Sequence, residues 1–347
     1  MKIHVTAKNQ AHTFECEPGE KILHAGLRNG IGLPYECGTG TCGTCKAKLV
    51  GGDVRTEWRE APGHKYLRND ETLFLMCQGI PRADCALEIT SAIKAMHPEA
   101  FLPVAMGAVI RRSAMLTHDV ISLELALDRP VDFEAGQFVL MSIAGITGAR
   151  AYSMVNFDRR AERLAFVIKR KPDGRLSDWL FGGPVTGARA DLFGPLGGAT
   201  FHPEIGKNLL CIAGGSGIAG MMSILSRACQ ERYFEDHTGH VFFGVRTRRD
   251  VFFLDEMDAF LEQAGDSLRV IIAFSDEDVD TELAARYPRI GWGKGFVHAV
   301  AGEGMKGRFE NVRAYTAGPP PMVDATLRML LREGRLTAEN IRYDKFS

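Results

Sequence analysis

Residues 34–45 read Pro34-Tyr35-Glu36-Cys37-Gly38-Thr39-Gly40-Thr41-Cys42-Gly43-Thr44-Cys45, and Cys77 lies downstream. The spacing C-x4-C-x2-C…C is that of the ligands to a plant-type [2Fe-2S] cluster. Two ferric ions bridged by two sulfides need four thiolates delivered from two sides. A tight loop can supply three of them and a distant strand end the fourth. Gly38, Gly40 and Gly43 let the backbone curl so that N–H groups face the sulfurs. Such hydrogen bonds help set the reduction potential. A four-cysteine structural zinc site is the alternative. Zinc prefers paired C-x2-C knuckles, and the loop holds one such pair, Cys42 and Cys45. Cys37, Cys42, Cys45 and Cys77 are therefore the candidate metal ligands.

The rest of the chain sets this loop in a larger machine. At 347 residues it is long enough for two or three domains. It is 45% hydrophobic and 24% charged, with a net charge of -1, an ordinary globular balance. That balance excludes nucleic-acid binding driven by bulk charge. The N-terminal MKIHVTAKNQ alternates like a strand and lacks the apolar core of a signal peptide. The most apolar run, Leu209–Leu225, is interrupted by Gly214, Gly215, Ser216, Gly217, Gly220 and Ser223, which makes a poor membrane span. A cytoplasmic protein with no membrane partner is expected. The eight cysteines then argue for a metal rather than a disulfide framework.

Three segments are visible. Residues 1–92 are β-rich with one helix, over KILHAGLRNG. Residues 93–102 read as a linker that would let the first domain swing. From 103 to 203, short strands (AMGAVIRRSAM, VISLELAL, GQFVLMSI, ARAYSMVN, LAFVIKR) are punctuated by turn residues, the pattern of an antiparallel barrel. One helix is expected there, near Leu176–Phe181. From 204 to 347, strands alternate with helix-like stretches such as AGMMSILSRACQE and PPMVDATLRMLLREG. That alternation implies a parallel doubly wound α/β sheet, which binds ligands at the carboxyl ends of its strands.

Several motifs sit where such ligands would. Arg150 and Tyr152 share one strand face, and arginine suits bidentate contact with phosphate. Gly174-Arg175-Leu176-Ser177 precedes a helix-like stretch, with Ser177 placed as its N-cap, and helix N-termini favour phosphate. Gly214-Gly215-Ser216-Gly217 follows a strand and opens a helix, the setting of a turn that approaches a pyrophosphate. Ala317-Gly318-Pro319 also follows a strand, with proline in the first helical turn.

Taken together, these features resemble the NAD(P)H-dependent reductases of bacterial oxygenases, within the ferredoxin–NADP reductase superfamily. The resemblance covers essentially the whole chain. It is carried by the cysteine loop, Trp58-Arg59-Glu60-Ala61-Pro62-Gly63, Arg150-Ala151-Tyr152-Ser153, Gly194-Pro195-Leu196-Gly197, the glycine turn and the segment from Ala317 to Thr326. It is strongest toward the reductases of carbazole dioxygenase and toluene monooxygenase systems. It implies a β-grasp plant-type ferredoxin domain (1–92), an antiparallel β-barrel FAD domain (103–203) and a nicotinamide-binding domain (204–347).

The resemblance also implies roles. Arg150 would pair with the FAD pyrophosphate, Tyr152 pack on the flavin, and Ser153 hydrogen-bond near its N5. The backbone of Ile168 and Lys169 would contact the flavin, and Gly174–Ser177 its phosphates. Gly214–Gly217 and Ala317–Pro319 would hold the nicotinamide coenzyme. The family often has cysteine where Ala317 stands and proline where Gly220 stands. Phe346 would cover the flavin ring until nicotinamide displaces it. Electrons would run from NADH through FAD and the [2Fe-2S] cluster to an oxygenase or its ferredoxin, and a monomer is expected. Arg246-Thr247-Arg248-Arg249 looks basic enough for a 2′-phosphate, yet NADH is favoured by the resemblance. The same module could serve a deoxysugar dehydratase or a CoA-ester epoxidase. A zinc-stabilised nucleotide-binding module is the non-enzymatic alternative.

Overall fold

The computed structural model describes residues 1–67, 70–94, 96 and 99–345. It divides into two compact units, one formed by Met1–Ala108, Phe138–Tyr152 and Arg189–Leu196, the other by Val109–Gln137, Ser153–Ala188 and the chain from Gly197 onward.

The first unit contains the cysteine loop. Strands β1 (Lys2–Thr6) and β2 (Ala11–Glu15) alternate buried and exposed side chains, as half-buried strands do. Helix α1 (Ile22–Arg28) buries Ile22, Leu23, Ala25 and Leu27. Then come β3 (Lys46–Gly51), β4 (Val54–Thr56), β5 (Leu73–Leu75), β6 (Gly79–Pro81) and β7 (Cys85–Glu88). A five-stranded sheet has the order β2-β1-β7-β3-β5, while β4 and β6 form a separate ribbon. The β1–β7 pair is parallel and β1–β2 antiparallel.

The start of the expected linker is not loose. Asn9 accepts from the Ile93 N–H through its side-chain oxygen at 2.9 Å and donates to the Ile93 carbonyl at 3.0 Å. Lys94 bridges to Gly32. The cysteine-bearing sheet also shares a buried apolar cluster with Phe138, Leu140, Phe193 and Leu196 of the barrel strands and with Ala149, just before Arg150. Leu140 lies against Gly38 of the cysteine loop, where an added Cβ would meet it at 3.1 Å. The His24 and Phe193 rings stack at 3.9 Å with 6° between their planes. The cysteine domain is thus packed onto these strands, against the expectation that it swings.

His24 carries a pH consequence. Burial, aided by Lys21, depresses its pKa from 6.5 to about 3. The folded state therefore favours neutral imidazole. The resulting stability is fully present above the unfolded pKa near 6.5 and is lost as pH falls from there toward 3. At pH 5 the loss is about 2 kcal/mol. Thermal melts at pH 7 and pH 5 are expected to diverge in the native chain, and His24→Phe is expected to narrow that difference. An equal difference in both proteins would remove His24 as its source.

The barrel comprises β8 (Val104–Met115), β9 (Val120–Val131), β10 (Phe138–Ser142), β11 (Arg150–Ser153), β12 (Ala161–Lys169) and β13 (Arg189–Leu196), in the order β11-β10-β13-β8-β9-β12. Two of these strands are long rather than short, since β8 and β9 each run for 12 residues. Helix α2 (Arg175–Phe181) interrupts the barrel where a helix was expected.

The second unit ends in six parallel strands: β14 (Asn208–Gly214), β15 (Gly239–Val245), β16 (Leu268–Phe274), β17 (Gly291–Lys294), β18 (Val312–Gly318) and β19 (Ile341–Lys345). Between them lie α3 (Ile218–Gln230), α4 (Leu254–Ala264), α5 (Thr281–Arg286), α6 (Val297–Gly304) and α7 (Pro320–Arg332). Their order is β17-β16-β15-β14-β18-β19. Strand order reverses at β14, so the crevice between the carboxyl ends of β14 and β18 is the switch point at which such sheets bind ligands. Buried Arg227 anchors α3 within this unit. It pairs with Glu134, donates to the Phe201 carbonyl at 2.9 Å and reaches Glu231 at 2.7 Å.

Candidate functional site

The four candidate metal ligands fall into two sulfur pairs. The Sγ atoms of Cys37 and Cys42 share a hydrogen bond at 3.3 Å. The Cys42 hydrogen bond draws Cys37 down to about 4, with help from Thr39 and Thr41. The same sharing pushes Cys42 up. Cys45 and Cys77 form the second pair, in which Cys77 is lowered by Cys45 and Cys45 raised in return. A metal is bound by deprotonated thiolates, so its binding releases thiol protons.

Backbone donors complete the cage. The Thr39 N–H lies 3.4 Å from Cys37 Sγ and the Thr44 N–H 3.5 Å from Cys42 Sγ. The three glycines take positive φ, at 65°, 87° and 76° for Gly38, Gly40 and Gly43, a conformation glycine adopts without steric cost. Paired sulfurs fed by N–H donors fit a [2Fe-2S] cluster. Gln78, which the motif does not flag, is a further member. It is buried, its Nε2 sits 3.6 Å from Cys77 Sγ, and its Oε1 has no partner. Its adjacency to the last cysteine was the available signal.

The flavin-motif residues are placed as follows. Arg150 and Tyr152 lie on β11 in the first unit, both half-buried. Burial pushes the Tyr152 phenol up, against the pull of Arg150. Ser153, Ile168, Lys169 and Gly174–Ser177 belong to the second unit. Ser153 and Ile168 are buried, whereas Lys169 is exposed and its Nζ contacts Asp119 at 3.1 Å. The N-cap of α2 is Gly174, not Ser177. Ser177 stands one turn in, and its hydroxyl donates to the Lys171 carbonyl at 2.7 Å. Its short side chain satisfies the preceding turn rather than the helix start. No side chain caps α2.

The nicotinamide motifs meet each other. Ala213 and Ala317 are register partners on β14 and β18. A Cβ on Gly217 would lie 2.3 Å from the Ala317 carbonyl oxygen, and one on Gly318 3.1 Å from the Gly214 oxygen. On the outside, a Cβ on Gly215 would meet nothing within 4 Å. The two turns are therefore locked together and open outward, as a dinucleotide site requires. Gly220 has ordinary room for a Cβ, the nearest neighbour being the Gly136 oxygen at 3.6 Å. The last described strand, β19, sets Lys345 opposite Gly318. Phe346, the expected flavin cover, lies outside the described residues.

Among the described residues, His118, Asp119 and Asp250 are spaced to hold a cation. The Lys169 ammonium on Asp119 already supplies a positive charge there.

Comparison with known proteins agrees with this arrangement. Residues 5–82 match the 2Fe-2S iron-sulfur cluster binding domain family, 108–201 the oxidoreductase FAD-binding domain and 211–328 the oxidoreductase NAD-binding domain. A ferredoxin–NAD(P)(+) reductase of Metapseudomonas resinovorans is 36% identical, with 95% of this chain and 96% of the relative covered. The chain belongs to the ferredoxin–NAD(P)H reductases.

The xylene/toluene monooxygenase electron transfer component of Pseudomonas putida is 31% identical to the reductase, covering 99% of this chain and 93% of the relative. The solved ferredoxin reductase in carbazole 1,9a-dioxygenase superposes with a TM-score of 0.82 at 34% identity, covering 100% of this chain and 99% of that one. The reductase is a flavin iron–sulfur oxidoreductase whose cofactors are FAD and a [2Fe-2S] cluster and whose electron donor is a reduced nicotinamide coenzyme. Among its described residues, no helix is long and apolar enough to cross a membrane.

Proposed function

We propose that the reductase feeds electrons singly to the oxygenase, or the oxygenase's ferredoxin, of a bacterial system that hydroxylates aromatic or hydrocarbon substrates. The observation that carries this reading is the unequal burial of the sulfur cage. Cys45 and Cys77 are buried while Cys37 and Cys42 are half-exposed, so one side of the cage faces a surface that a partner protein can reach. The names of the relatives supply the class of partner.

In this reading Cys37, Cys42, Cys45 and Cys77 ligate the cluster. Arg150 and Gly174–Ser177 hold the FAD phosphates, Tyr152 packs on the flavin, and Ser153 hydrogen-bonds near N5. Ile168 and Lys169 contact the flavin through their backbone. The turns at Gly214–Gly217 and Ala317–Pro319 orient the nicotinamide, and Phe346 covers the flavin ring until nicotinamide displaces it. Bound FAD supplies the exchange between a two-electron donor and a one-electron acceptor, so the chain itself needs no general acid or base. The reading divides the chain into a ferredoxin domain to 92, a linker to 102, a barrel to 203 and a nicotinamide domain beyond. It takes the protein as a cytoplasmic monomer.

NADH rather than NADPH fits the charges beyond β15. Arg246 is paired with Asp276 at 2.8 Å and Arg248 with Asp280 at 2.5 Å. Carboxylates already facing these arginines disfavour a 2′-phosphate and suit a ribose hydroxyl.

The test is the visible spectrum of anaerobic protein before and after NADH, followed by addition of a candidate oxygenase component. Flavin and cluster bands are expected to bleach together with NADH and to recover when the oxygenase is added. Bleaching by NADPH alone overturns the coenzyme choice. Recovery with a dehydratase or epoxidase but not an oxygenase overturns the partner. A colourless, zinc-containing protein that also resists reconstitution overturns the reading as a whole.

A further inference from the structure

The segment Trp58–Gly63 is clasped by the cluster-bearing region at both ends. Next to Trp58, the Glu57 N–H donates to the carbonyl of Gln78 at 2.8 Å, and Gln78 follows Cys77. At the other end, the Gly63 N–H donates to the Gly40 carbonyl in the cysteine loop at 2.7 Å. Between them, buried Ala61 packs on Gly40, where an added Cβ would meet the Ala61 methyl at 3.0 Å. The position of the Trp58 indole is therefore dictated by the two stretches that carry the cysteines.

That indole lies under Arg150. The guanidinium carbon stands 5.3 Å from the ring centroid, within cation–π range. One of its nitrogens donates to the Ala149 carbonyl at 3.0 Å, which fixes the arm along its own strand. Gly148, at φ 78°, keeps the space clear. A Cβ there would come within 3.1 Å of both Arg150 Nη1 and Trp58 Cε3. A guanidinium can stack by its face while its edge still offers donors to a phosphate, so the stack and a phosphate contact are compatible.

We propose that Trp58 is a positioning residue for Arg150, through which the folded cluster region presets the arginine that receives the FAD diphosphate. The inference rests on the reading above that Arg150 binds that diphosphate. An arginine already held in place loses less conformational freedom when FAD arrives. FAD retention thereby depends on a residue of the ferredoxin region.

The test measures FAD dissociation from the full-length holoprotein, from the recovery of flavin fluorescence on dilution, with the visible spectrum of the cluster as a check of folding. Trp58→Ala is expected to raise the FAD Kd about fivefold, and Trp58→Phe to restore most of the loss because a π face remains. Arg150→Ala is expected to raise it by about tenfold or more, and the double variant to bind no worse than Arg150→Ala alone. If Arg150→Ala weakens FAD while Trp58→Ala does not, or if the two losses add, the inference fails and the reading of Arg150 stands. If Arg150→Ala binds FAD as the native chain does, the reading fails and the inference with it. Should Trp58→Ala lose its cluster, Trp58→Leu takes its place. It keeps apolar bulk without the π face, with the same expected weakening, and unchanged FAD binding in it overturns the inference.

Discussion

Cys77→Ser is expected to give a protein whose flavin NADH still reduces but which passes almost no electrons to cytochrome c. Cys77 is fully buried and is the one member of the sulfur set outside the loop. Serine offers a hard oxygen of much higher pKa in place of a thiolate, and iron–sulfur clusters are held by thiolates. Its loss also strands the Gln78 amide, which donates to Cys77 Sγ. NADH-dependent cytochrome c reduction should fall roughly 100-fold or more, beyond the 10–100-fold typical of residues that only support ligands. Ferricyanide reduction, which needs the flavin alone, should be kept within about twofold of native. Because metal binding is coupled to folding, the variant should also melt earlier. A Cys77→Ser protein with native iron content and native cytochrome c reduction would show that the fourth ligand lies elsewhere.

Gly217→Ala should damage the other end of the electron path about as severely. The added methyl would lie 2.3 Å from the Ala317 oxygen and 2.8 Å from the Gly318 nitrogen. Both are backbone atoms of a strand paired on each side, so neither can step aside as a flexible side chain would. Overpacking of this kind costs on the order of 1–3 kcal/mol or more. The cost falls on the junction of the two turns that are proposed to hold the coenzyme. The KM for NADH should rise by roughly 30-fold or more, at 1.4 kcal/mol per tenfold, while dithionite still reduces flavin and cluster normally. Gly220→Ala is the internal control, because its Cβ would meet ordinary contacts only. Helix propensity makes it neutral or slightly stabilising. Equal KM values in the two variants would dissociate the coenzyme site from the turn junction.

The sequence was most legible where chemistry is local. The cysteine loop, its glycines and the turn after β14 are runs of adjacent residues whose spacing is itself the constraint. The helices α1 and α3 are largely buried, as the apolar character of their residues leads one to expect. What escaped was set by tertiary contact. Ser177 has the residue type of an N-cap and stands near a helix start, yet its hydroxyl binds Lys171 and Gly174 occupies the N-cap position. Strand β19, Ile-Arg-Tyr-Asp-Lys, is short and charged, and it exists because β18 offers it an edge. The stack of Trp58 on Arg150 joins residues that are far apart along the chain, and no periodicity announces such a meeting. The expected mobility of the first domain failed for the same reason, since Leu140 and Phe193 look like ordinary barrel residues until Gly38 and His24 are found against them.

That shared apolar cluster bears on how such proteins can be recombined. A gene cut near codon 92 follows the visible border of the cysteine-bearing region. It would leave Leu140, Phe193 and Leu196 of the recipient bare to water and deprive the donor of the same cover. The heritable cassette is therefore larger than the stretch that carries the metal ligands, and it includes barrel strands encoded well downstream. Shuffling that respects motif borders alone should yield sticky, poorly soluble hybrids. A lineage that transplants this iron–sulfur region must carry the matching face of the barrel with it or evolve a new one.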